Sequence, residues 1–169
     1  MASILKTDKI EGVTASGTVA MPAGHVIQTV NATHATQAST TSASYVATAL
    51  NASITPKFST SKILVTFTVP TYATSGKHCA CTVFRESGTA SSGSSISGTN
   101  LGDATWGFSS VYAGSSDIMA SVHCTGVLDS PSTTSATRYT VAFKQVNTGT
   151  SEVFVNGAMG TLTLQEIAQ

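Results

Sequence analysis

Apolar and polar residues alternate along most of the chain with a period of two, the pattern of strands buried on one face. In "KILVTFTVP", Ile63, Val65, Phe67 and Val69 point one way, and Leu64, Thr66 and Thr68 the other. In "DIMASVHCTGVL", the same spacing places Ile118, Ala120, Val122, Cys124 and Leu128 on one face. "RYTVAFKQV" sets Tyr139, Val141 and Phe143 against Arg138, Thr140 and Lys144, and "GTLTLQEI" sets Leu162 and Leu164 against Thr161, Thr163 and Gln165. Further strands are expected in "GHVIQTVN", "SYVATAL", "ASITP", "HCACTVFRE", "TWGFSSVY" and "SEVFVN". Helical periodicity is nearly absent, and "STTSASYVATAL" is too rich in Ser, Thr and Val to favour a helix.

Turn residues fall between these runs, in "TPKFSTS", "TSGK", "AGSSD", "DSPSTTSAT", "NTGTS" and "NGAMG". Gly and Asn supply positive φ there, and Pro and Ser start turns. Short strands separated at regular intervals by turns predict an all-β fold, an antiparallel β-sandwich of the jelly-roll kind. The Ser/Gly-rich stretch Ser87–Asn100 lies mid-domain between strands and is expected to be a long surface loop. The organisation expected is an extended N-terminal arm over residues 1–23 and a sandwich domain over 24–169.

The 169-residue chain carries eight Lys and Arg against eight Asp and Glu, so its formal net charge is zero. A neutral surface releases few counterions from phosphates, which argues against nucleic acid as a partner. No run reaches the roughly 18–20 apolar residues of a membrane span, so no membrane insertion is expected. "SILKTDKIEGV" is interrupted by Lys6, Asp8, Lys9 and Glu11 and lacks a signal-peptide core, so synthesis in a cytoplasm without a signal peptide is expected. Small inward residues such as Ala, Thr, Val and Cys give a modest core, and the strands lack protective lysines at their edges. Both features point to a symmetric oligomer, most simply a homotrimer.

Signals for catalysis are poor: there is no G-x-S-x-G elbow, no P-loop and no dinucleotide fingerprint. A non-enzymatic protein without a cofactor is expected. His78, Cys79, Cys81, His123 and Cys124 are metal-ligand types, but on a strand His78 opposes Cys79 and Cys81, and His123 opposes Cys124. Cys79 and Cys81 share a face with Cβ atoms roughly 6.5–7 Å apart. That is too far for a disulfide, so free thiols in the core are expected, and no metal. Tyr72, Trp106 and Tyr112 lie at strand ends or beside Gly/Ser loops, and Asp103 lies three residues before Trp106. These four form the candidate recognition surface, since Tyr and Trp anchor interfaces and stack on sugars.

Three stretches carry a resemblance. "SILKTDKIEGVTASGTVAMPAGHVIQT" resembles the start of tail-fibre and related virion proteins of tailed bacteriophages, especially those of marine and cyanobacterial hosts. In them an S-x-L-K-x-D-x-I arm leads to P-x-G-x-V-I-Q. "SITPKFSTSKILVTFTV" is similar to their I-T-P-x-x-x-x-S-K-I-L-V strand pair, and "YTVAFKQVNTGTSEVFVNGAMGTLTLQEI" to their closing strands. Together these cover about half the chain. The resemblance implies a jelly-roll head, often trimeric, mounted on other virion proteins of tail, neck or capsid. Ile4, Leu5, Lys6, Asp8, Lys9, Ile10, Glu11 and Val13 would then form the virion-anchoring arm. It also implies a structural role in the virion, as a short tail fibre or receptor-binding head that meets a host surface glycan or receptor. Capsid decoration, with the protein cementing the shell, is the alternative, because no shaft of repeats separates arm from head. Ser87–Asp129 matches no part of that pattern, and a variable recognition surface is expected there.

Overall fold

A computed structural model describes residues 21–169 of the chain. The anchoring residues Ile4, Leu5, Lys6, Asp8, Lys9, Ile10, Glu11 and Val13 therefore lie outside the described residues. Alternation becomes strand almost wherever it occurs. The strands are β1 (Val26–His34), β2 (Ala38–Thr40), β3 (Val46–Ile54), β4 (Lys62–Ala73), β5 (His78–Glu86), β6 (Gly98–Asn100), β7 (Ser109–Tyr112), β8 (Ile118–Asp129), β9 (Thr137–Gln145), β10 (Ser151–Val153) and β11 (Gly160–Ile167). A single 3₁₀ turn, Val155–Gly157, separates the last two. No helix among the described residues is long and apolar enough to cross a membrane.

The strands form two antiparallel sheets packed against each other. In the first, β1 pairs with β11, β11 with β4, and β4 with β8, while β2 and β10 prolong the lines of β1 and β11. In the second, β3 pairs with β9 and β9 with β5, and β6 and β7 follow one another along the far side of β5. With each prolonged line taken as one strand, the sheet orders become 1-8-3-6 and 2-7-4-5. First pairs with last, third with sixth, second with seventh and fourth with fifth. That is a long hairpin rolled onto itself, the connectivity of an eight-stranded jelly roll.

The interruptions have local causes. Pro70 sits in the middle of β4, where a missing N–H would leave a neighbouring strand unpaired. The chain opposite it leaves the ladder at that point: β10 ends at Val153, and Phe154 turns left-handed (φ 56°) and donates its N–H to Pro70 O at 2.8 Å. The run "SEVFVN" is therefore strand only over Ser151–Val153. Gly160 restarts the ladder where a Cβ would meet the Phe154 ring at 2.5 Å.

A bulge in β8 overturns part of the expected face. Val127 pairs with Val65 and Cys124 with Phe67, so two residues of β8 stand opposite the single Thr66. The extra residue reverses the parity beyond Gly126 (φ 151°), turning Val127 and Asp129 inward and leaving Leu128 54% exposed. Leu128 thus does not share the face of Val122 and Cys124. "SYVATAL" and "ASITP" merge into one strand, β3, irregular between Ala47 and Asn51. Only the second half of "TWGFSSVY" is strand, and its first half is a turn.

The core lies between the sheets. Ile63, Val65, Phe67 and Val69 of β4 and Leu162 and Leu164 of β11 face Tyr139, Val141 and Phe143 of β9 and Val83 of β5. Each such side chain contributes roughly 1.5–3 kcal/mol when fully buried. At one end of the sandwich a polar tie joins the sheets. Asp129 accepts from Arg85 Nη1 at 2.7 and 2.8 Å and from the buried Tyr139 hydroxyl at 2.7 Å. Burial, and then the Asp129 carboxylate, push the Tyr139 hydroxyl well above its ordinary pKa. Glu166, fully buried, accepts from the Lys57 and Phe58 amides and from Gln28 Nε2, fixing the β3–β4 turn to the last strand.

Candidate functional site

Outward-facing residues of the second sheet should be wet, yet Ala80 and Thr82 of β5 and Thr140 and Ala142 of β9 are buried. The Ser87–Asn100 stretch and the residues after it cover them. Gly93 N–H donates to Ala47 O and Ala47 N–H to Ser94 O, while Arg138 Nη2 holds Ala90 O and Nε pairs with Glu86 at 2.8 Å. The expected surface loop is thus also a cover for one face of the sheet.

Between β6 and β7 the edge line is broken by an excursion over the same face. Leu101 N–H donates to Val83 O on entering and Phe108 N–H to Cys81 O on leaving. Asp103 and Gly107 close its neck by exchanging backbone hydrogen bonds of 3.1 and 3.0 Å. Inside, Asp103 Oδ1 accepts from the Trp106 amide at 2.7 Å and the Thr105 amide at 2.8 Å. Those two amides hold the Asp103 carboxyl below the usual carboxylate range. Gly107 has φ 66°, and a Cβ there would collide with the Cys81 carbonyl, so the residue must be glycine.

This turn presents Trp106, 45% exposed, beside an aromatic neighbour on β5. The His78 ring lies edge-on to Trp106 with centroids 5.0 Å apart, and stacks on Tyr112 of β7 at 4.4 Å. Tyr112 is itself 55% exposed. The three rings form a continuous aromatic shelf. Of the four residues expected to make a recognition surface, Trp106 and Tyr112 belong to the shelf and Asp103 holds its turn. Tyr72 is elsewhere, on the outer face of the first sheet, donating its hydroxyl to Asp117 at 2.6 Å. That bond comes first in raising the Tyr72 pKa and in lowering that of Asp117.

On the other side of the excursion lies a groove of about 520 Å³, walled by Tyr45, Phe84, Ser44, Ser95 and Asn100. Lys144 lies in its wall and is only 8% exposed. Its Nζ donates to Ala104 O at 2.8 Å and stands 4.7 Å from the centroid of the Tyr45 ring. Burial lowers the Lys144 pKa, partly offset by Asp103. Sequence reasoning missed His78 as part of a shelf, and Tyr45 and Lys144 altogether. Lys144 was legible as outward-facing, but no pattern within β9 reveals that a loop forty residues upstream covers it.

The His/Cys residues separate as strand parity requires. Cys79, Cys81 and Cys124 are buried free thiols facing the core, and burial pushes the Cys124 thiol up. His123 is exposed on the other face, where it shares a 3.0 Å hydrogen bond with Thr68. Among the described residues no three His, Cys, Asp or Glu side chains gather as metal ligands. A scan of protein-family models and a search of curated proteins each find no match to the chain.

Proposed function

We propose that the chain is a non-enzymatic structural protein of a tailed-bacteriophage virion, a short fibre or receptor-binding head mounted through its N-terminal arm. The observation that carries this reading is the exposed shelf of Trp106, His78 and Tyr112. A domain gains nothing in its own core from Trp106 and Tyr112, held out by the turn and by β7 on either side of the half-buried His78, whereas such rings stack on the apolar faces of sugars. The jelly-roll scaffold and the three resembling stretches supply the virion context. A homotrimer would multiply weak contacts into avidity, and the particle would be where the protein resides. Host surface glycan is the partner. The purified chain should bind host cell envelopes, and Trp106→Ala should reduce that binding at least tenfold without lowering the melting temperature. Equal binding by the two proteins sinks the reading.

Capsid decoration is the second reading, favoured by a different face. Met119 and Leu128 stay exposed toward the two ends of the outer face of β8, apolar groups suited to burial against a shell subunit. Copy number decides between them: hundreds per particle mean cement, and a few to dozens mean a fibre.

A further inference from the structure

We propose that the groove beside the shelf binds the carboxylate of an acidic sugar, with Lys144 Nζ as its counter-charge. The inference rests on reading this face as a glycan surface and assigns the kind of glycan. An ammonium withdrawn from water is costly unless a negative partner compensates it. Lys144 has none within 4.0 Å among the described residues: its ion-pair distance is met by no carboxylate, and its Nζ finds a neutral carbonyl and a ring instead. An ammonium has three N–H donors, of which Ala104 O takes one. The nearby Asp103 carboxylate is turned toward the Trp106 and Thr105 amides.

The remaining walls fix the ligand class. Half-buried Phe84 offers aromatic surface, with the buried Tyr45 edge-to-face behind it at 5.9 Å, and Ser44, Ser95 and Asn100 offer hydrogen-bonding groups. One cation, one accessible ring and several small polar groups in about 520 Å³ match a sugar residue bearing one carboxylate. A phosphate would call for a cluster of cations or amides, which the groove lacks. Shelf and groove flank the same excursion, so a chain of two or more sugars can rest a neutral ring on Trp106 and place an acidic one against Lys144.

The test is calorimetric titration of the whole 169-residue chain with oligosaccharides ending in glucuronic acid, against the same oligosaccharides ending in glucose. Preference for the acidic form by about tenfold or more is expected, as for one charge-assisted hydrogen bond. Lys144→Met, which keeps the stem, should abolish the preference. Ser95→Asp should reverse it by placing a negative charge in the groove from an exposed position of its wall. Equal binding of the two sugars, or a preference that survives both substitutions, overturns the proposal. Loss of neutral-sugar binding in Trp106→Ala without any acid preference overturns the groove alone and leaves the shelf. Acid-selective binding indifferent to Trp106→Ala upholds the groove and removes the shelf.

Discussion

Asp103 shows how one side chain sets the position of another that the sequence had singled out separately. The two residues are three apart, and sequence alone allows them to act as independent recognition groups. In the fold the carboxylate is spent on the Trp106 and Thr105 amides, so Asp103 positions and Trp106 contacts. The arrangement has a pH signature. Because the folded carboxyl has its pKa lowered, its contribution is present above the unfolded value, about 3.9, and is lost as pH falls through the folded one. The chain has one tryptophan, so its emission reports this turn directly. Emission should change as pH falls below about 4 and the carboxyl takes up its proton. Asp103→Asn should remove that transition. An unchanged acid transition in the variant would mean that the turn is held by something else.

At the scale of the element, the alternation in β4, β9 and β11 was legible because each is continuous where it faces the core. It failed in β8 because counting by twos assumes an unbroken ladder, and one extra residue opposite Thr66 reverses every face beyond it. It failed in "SEVFVN" because the cause lies in a different strand, at Pro70. Neither cause is visible in the run it affects. The β8 bulge can be checked by stability: Leu128→Thr should change the unfolding free energy by less than about 0.5 kcal/mol, since the side chain is in water. Leu162→Ala, in a fully buried position of β11, should cost about 2–5 kcal/mol. Comparable losses in urea titrations of the two variants would restore the unbroken strand and refute the bulge.

At the scale of the whole molecule, the two sheets present unlike outer faces. One is covered by its own loops and carries the shelf and groove, while the other ends in β8, a twelve-residue edge that pairs with β4 alone among the described residues. That edge holds no lysine or arginine, the usual guards against pairing. Its free side is identified by Pro70, whose carbonyl is bonded from the β10–β11 side. Ser121, opposite Pro70, therefore points its own N–H and C=O away from β4, as do Met119 and His123. With Met119 53% exposed beside them, these groups suit a strand from a second copy. If the chain assembles through this edge, Ser121→Lys should convert an oligomer to monomer while leaving thermal stability of the domain nearly unchanged, because Ser121 is exposed in the single chain. Removing residues 1–20 should not have this effect. The ladder is closed without them, by Gly24 N–H on Ala168 O and Ala168 N–H on His25 O. Sedimentation of the full chain, the Ser121→Lys variant and the shortened chain separates the possibilities. A monomeric full chain at micromolar concentration would deny the assembly altogether, and an oligomer that persists in Ser121→Lys would place the contact on another face.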